Sequence, residues 1–216
     1  MSARDEVLSR IRRATADVQE SRPEVDVPVD WTYGQPLPTA DVLADFVEKV
    51  EDYKATVTRC HEAQVGQALV TALQDLGATS VVVPGGFPDE WTGALRAAGL
   101  TLHSDEPPLT HGQLNTIDAV VSTCAVAMAD SGTIALDHSE GQGRRALSLL
   151  PDRHICVVRS DQVVSDVPEG IARLAPAMRA RRPVTWLSGG SATSDIELSR
   201  VEGVHGPRHL WVVLVD

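Results

Sequence analysis

Apolar residues recur in two rhythms that alternate along most of this chain. Near the start, Val7, Leu8, Ile11 and Ala14 stand at helical spacing among charged neighbours, which predicts an amphipathic helix that docks by that stripe. Pro23, Pro28, Pro36 and Pro38 forbid a regular helix over 21–38, so this stretch reads as an extended connector. Such a connector would let the first helix pack away from its own core, onto a second subunit. Helical spacing returns over 41–51 through Val42, Leu43, Phe46, Val47 and Val50, and 54–60 alternates as a strand does. A helix over 62–76 stops at Gly77. A wholly apolar strand over 80–83 ends at Pro84-Gly85-Gly86, a helix over 88–98 is capped by Gly99, and 100–103 reads as a strand.

Strands that are apolar on both faces and sit between helices predict a mostly parallel sheet with right-handed crossovers. The expected architecture is a Rossmann-like α/β domain over 39–216, with helices on both faces, preceded by an N-terminal helical arm over 1–38. The second half is less regular. Residues 117–128 are almost all small and apolar, and a polar turn, Asp130-Ser131-Gly132-Thr133, separates them from Ile134-Ala135-Leu136. A polar loop follows over 138–145. Strands are predicted over 153–158, 184–187 and 210–215, with a helix over 168–181.

Composition narrows the partners. Nineteen Lys and Arg against 30 Asp and Glu give a net charge of −11, and aromatic residues make up 4%. A duplex-binding basic footprint and a base-stacking surface are therefore not expected. Arg179, Arg181 and Arg182 form the one basic run, and cations at a helix end explain it. No apolar run approaches the ~20 residues that span a bilayer. The polar, acidic start is unlike a secretory signal, so a cytoplasmic location is expected. Cys60, Cys124 and Cys156 are far apart, which argues against an iron–sulfur cluster or structural zinc held by this chain alone. Cys124 and Cys156, inside apolar runs, read as small buried hydrophobes. His61, His103, His111, His138 and His209 show no metal-ligand spacing, and His154 at the head of a strand reads as a packing residue.

Three polar stretches are candidates for chemistry. Ser188-Gly189-Gly190-Ser191-Ala192-Thr193-Ser194-Asp195 follows a predicted strand and precedes a helical or turn segment. Strand, glycine-rich turn and helix start can present several backbone N–H groups to an anion. The same letters also suit a tight connection with a capped helix. Asp130-Ser131-Gly132-Thr133 is either part of a site or an ordinary turn. Gly203-Val204-His205-Gly206-Pro207 makes a turn in which His205 is an acid–base candidate or a solvated side chain. Because Pro84-Gly85-Gly86 and the 188–193 loop both follow strands, they are expected to share one edge of the sheet. On this basis Ser131, Gly132, Thr133, Ser188, Gly189, Gly190, Ser191, Thr193, Asp195 and His205 are expected near one anionic ligand. Replacing Gly189 by valine should then weaken anion binding more than folding.

These stretches also carry a resemblance. Ala129-Asp130-Ser131-Gly132-Thr133-Ile134, then Gln142-Gly143-Arg144-Arg145-Ala146-Leu147, then 150–158, resemble the central blocks of the lactate-utilisation protein C (LutC/YkgG) family, the LUD domain. Residues 188–197 are similar to its Gly-Pro-Ser-x-Thr-Ala-Asp-Ile-Glu signature, and 203–207 to its Gly-Val-His-Gly-Pro motif. Gly190 stands where the family usually has proline, and Ser194 where alanine is usual. The resemblance implies a fold related to the NagB/RpiA/CoA-transferase class. It also implies a part in oxidising L-lactate to pyruvate beside lactate utilisation proteins A and B, with the iron–sulfur clusters in those partners and no cofactor in this chain. A homo-oligomer is expected. Two alternatives remain open: a stand-alone phosphosugar isomerase or acyl/CoA-transferase-type enzyme using Asp130, Glu197 or His205 as base, and an assembly or regulatory module without catalysis.

Overall fold

Ser2 and Asp5 close a reciprocal cap on the first helix, α1 (Ala3–Ala14): the Ser2 hydroxyl accepts from the Asp5 amide, and the Asp5 carboxylate accepts from the Ser2 amide. A Glu6–Arg10 pair at 2.6 Å supports the exposed side of the helix. In the computed structural model, residues 2–18, 22, 32, 34–190, 192–193, 201–202 and 206–216 are described, without the side chains of 192–193 and 201–202. The chain divides into two units, Met1–Gln35 and Pro36–Asp216. The first contains α1, whose apolar stripe is exposed at Val7 and Ile11. The second holds all the other described helices and strands.

Its main sheet has six parallel strands in the order β1 (Thr56–Cys60), β12 (His209–Val215), β7 (Arg153–Arg159), β4 (Ala119–Ser122), β2 (Ser80–Val83), β3 (Thr101–Ser104). The two-residue period of these strands sends alternate side chains to opposite faces. Val81, Val121, Ile155, Val157 and Val213 meet Leu69 and Leu73 of helix α3 (Val65–Asp75) and Trp91 and Leu95 of helix α4 (Asp89–Ala97). Cys156, Val158, Val212 and Leu214 point the other way and meet Phe46 and Val50 of helix α2 (Val42–Asp52).

A second sheet also covers that other face. Its order is β8 (Val163–Val164), β5 (Val126–Met128), β6 (Thr133–Leu136), β9 (Thr185–Leu187); only the β5–β8 pair is parallel. Ala127, Ile134 and Leu136 face the main sheet, while Val126, Met128 and Ala135 pack under Leu174 of helix α6 (Val167–Arg179). The layers are therefore helix, sheet, sheet, helix. The expectation of a mostly parallel α/β sheet holds. Helices also lie on both faces, as expected: α3 and α4 on one and α2 on the other, where the second sheet, which the sequence did not announce, packs beside α2. This arrangement accounts for the apolar run over 117–128. The chain leaves the main sheet after Ser122 and enters the small one at Val126, buried on both sides in each. A single-turn helix, α5 (His111–Leu114), is capped reciprocally by Thr110 and Gln113. No helix among the described residues is long and apolar enough to cross a membrane.

Candidate functional site

β9 is an edge strand, and its free side faces a cleft of about 450 Å³. Residues 184–190 form one wall, Arg145, Ser148 and Leu149 another, and His154 with Leu210 the third. His154 and Leu210 are register partners on β7 and β12, so this wall is set by the parallel pairing itself. Both stand at the amino ends of their strands.

The imidazole of His154 is 1% exposed. Its Nε2 lies 2.7 Å from the Ser122 hydroxyl, and its Nδ1, also buried, has no hydrogen-bond partner. Burial lowers the pKa of this ring to about 4, so it is neutral at physiological pH. Beside it, Cys156 and Cys124 are buried. The neighbouring Cys156 thiol and burial together push the Cys124 thiol well above its ordinary value, which keeps it protonated and unreactive.

Residues 137–145 run back across the face of the main sheet to the cleft. The buried Gln142 side chain accepts from the Asp137 and His138 amides at 2.7 and 3.1 Å, holding the start of this loop. His138 bridges the loop to β9: Nδ1 lies 2.7 Å from the Gly143 carbonyl and Nε2 2.8 Å from the Thr185 hydroxyl. Arg144 forks onto Asp105 at 2.7 and 3.0 Å, and Arg182 meets Asp137 at 2.8 Å. Burial works upward on the Asp137 carboxyl, but bonds from Ser139 and the Arg182 charge outweigh it and leave the group below its ordinary value. Arg145, next in the chain, is exposed; its carbonyl accepts from the Ser148 hydroxyl at 3.0 Å, and its guanidinium has no hydrogen bond or ion pair among the described residues.

The structure brings the central turn and the glycine loop together at one point, where Thr133 Oγ1 and Ser188 Oγ lie 2.7 Å apart. Ser188, Gly189 and Gly190 line the cleft; Ser131, Gly132 and Thr133 do not. The Ser131 hydroxyl is buried without a partner, and Gly132 abuts the backbone of Lys49 at φ +58°. The glycines of the loop serve close packing. A Cβ on Gly189 would stand 2.5 Å from Tyr53 Cβ, and one on Gly190 2.3 Å from the Arg208 carbonyl oxygen.

One sequence expectation is corrected. The loops at 84–86 and 188–190 do not share an edge of the main sheet. Gly85 accepts from the Gly141 amide at the carboxyl end of β2, whereas Gly190 touches Arg208 at the amino end of β12. The reason is that β9 belongs to the second sheet, so the polarity of the main sheet does not govern the loop after it. The glycine turn leads to a short strand, β10 (Ala192–Thr193), paired antiparallel with β11 (Val201–Glu202); the helical or turn segment expected over 195–198 lies outside the described residues. Ser191, Asp195, Glu197 and His205 lie outside the described residues, as does the side chain of Thr193. Asp130 is exposed and does not line the cleft.

Sequence reasoning missed Arg145 and the part played by His154. The Gly143-Arg144-Arg145 run was visible, but nothing in the letters distinguishes an arginine committed to Asp105 from its uncommitted neighbour. Among the described residues, no three His, Cys, Asp or Glu side chains are grouped as metal ligands would be.

A family model described as LUD domain matches residues 43–215. A Deinococcus radiodurans protein named lactate utilization protein C is 49% identical over 213 residues, which cover 99% of this chain and 95% of the relative. A Bacillus pumilus protein of the same name is 26% identical over 237 residues, covering all of this chain and 98% of the relative. Among solved structures, a DUF162 family protein from D. radiodurans superposes with a TM-score of 0.68 at 45% identity, covering 84% of this chain and all of that one.

Proposed function

Since this chain belongs to the LUD domain family, we propose that it serves lactate utilisation as a component without iron–sulfur clusters, holding a small anion in the cleft beside Ser188. The observation that carries this reading is the near-full-length, 49% identical relative named for lactate utilization. The cleft supplies the chemical side of the argument. One uncommitted guanidinium and the Ser188 hydroxyl in the cleft lining suit a small anion better than a cation or a neutral sugar. The partners in this reading are two proteins that carry clusters and pass on the electron pair released when L-lactate becomes pyruvate. Fold kinship with isomerases or transferases adds nothing by itself, because a shared fold does not transfer an activity.

The test is reconstitution. The full chain is purified with its cluster-bearing partners, and lactate-dependent reduction of an electron acceptor is followed with and without it. Loss of turnover on omission is expected. Full turnover from the partners alone would overturn the reading.

A further inference from the structure

We propose that the cleft selects an amphipathic monocarboxylate, an acid with a larger apolar body than lactate. This rests on the ligand-holding half of the preceding proposal and goes further by naming the class of ligand. Charge is the first argument. Arg144, Arg182 and Arg208 are each paired with a carboxylate, Asp105, Asp137 and Asp152, and Arg153 donates to the Leu76 and Asp118 carbonyls. Arg145 is the uncompensated cation among the described residues lining the cleft. One fork-shaped cation matches one carboxylate; a polyphosphate would bring several charges to a site that neutralises one.

Size and polarity are the second argument. Leu149, Val184, Trp186, Leu187 and Leu210 give the cleft apolar walls. Its volume of about 450 Å³ lies in the range of roughly 300–1,000 Å³ that encloses ligands much larger than lactate. Lactate would leave those walls wet, whereas an apolar body would dry them.

An unmet bond lies in the cleft wall. His154 is 99% buried in the cleft wall with Nδ1 lacking a partner, although buried polar atoms nearly always have one. This atom is shut off from solvent, so it marks an unmet polar position beside the cleft that a water admitted with the ligand would fill. Ser122 already occupies Nε2, which fixes the ring in place.

The experiment titrates the purified full chain with 3-phenyllactate, L-lactate, the methyl ester of 3-phenyllactate and ADP, read by calorimetry and thermal shift. 3-Phenyllactate is expected to bind about tenfold or more tighter than L-lactate, and the uncharged ester and ADP to bind weaker than the acid. Arg145→Gln should reduce 3-phenyllactate affinity about tenfold while leaving the melting temperature of the free protein unchanged, since the Arg145 side chain makes no bond among the described residues. Binding of lactate or ADP as tight as 3-phenyllactate, no binding of the acid at about 10 mM, or an unaltered affinity in Arg145→Gln would each overturn the proposal. If binding fails but lactate-dependent turnover still requires the chain, only the ligand class is lost. If binding holds but turnover does not need the chain, the lactate role falls instead.

Discussion

The Thr133 and Ser188 hydroxyls, 2.7 Å apart, join the central turn to the glycine loop across a gap of 55 residues in the chain. Thr133 sits at the start of β6 and Ser188 just past β9, so the bond extends the pairing of these two strands by one side-chain rung. It fixes the first residue of the loop that walls the cleft.

Thr133→Val keeps the shape of the side chain and removes the hydroxyl. It is expected to cost about 1 kcal/mol, which lowers the melting temperature by roughly 2–4 °C in a domain of this size. Thr133→Ser retains the oxygen and should recover most of that loss. Thermal unfolding of the two variants checks this, and equal melting temperatures would mean the bond is not made in solution.

Gly189 is expected to matter for folding more than for binding, the reverse of what its letters suggest. At φ +77°, with Tyr53 atoms 2.5 and 2.8 Å from where a Cβ would lie, Gly189→Ala must shift the backbone on one side or the other. A cost of about 2 kcal/mol or more is expected, seen as a lower urea midpoint at unchanged slope. Gly93→Ala provides the contrast. It lies inside α4, and nothing stands within 4 Å of the new methyl. There the substitution should stabilise by up to about 1 kcal/mol through helix propensity.

Acid should weaken the fold through His154. Its pKa falls from 6.5 in the unfolded chain to about 4 in the folded one, because burial disfavours the imidazolium. Between those values the unfolded chain holds a proton that the folded chain does not, so stability rises with pH. The contribution is fully present above about pH 6.5 and falls by on the order of 3 kcal/mol as pH drops to 4. Asp118 acts lower down. Burial works upward on its carboxyl, but bonds from Thr79 and Ser80 outweigh that and hold it at about 2. Its loss therefore comes below pH 3.8, clear of the His154 window. His154→Gln should flatten the pH dependence of the urea midpoint between 6.5 and 4; an unchanged slope would show that this ring is already charged in the native state.

Much of this architecture can be read from letters, and for definite reasons. The helices at 42–52, 65–75 and 89–97 announce themselves because Phe46, Leu69, Leu73, Trp91 and Leu95 recur on one side of a 3.6-residue turn. Strands β2, β7 and β12 are legible because a strand covered on both faces is apolar at nearly every position. The cleft is harder to read. Ser188, Gly189 and Gly190 stand out by composition, but their neighbours Arg145, His154 and Leu210 come from three distant segments with no shared pattern.

Local periodicity alone was enough to establish helices, strands and a parallel sheet, since each element buries its own apolar side whatever its neighbours are. Which sheet a strand joins follows from packing between layers. Ala127 and Met128 are equally apolar, yet one faces the main sheet and the other faces α6. For the same reason the glycine loop came to the amino edge of β12 and not to the carboxyl edge of β2. Its strand, β9, hydrogen-bonds to β6, and that pairing is a long-range choice that no local stretch of sequence encodes.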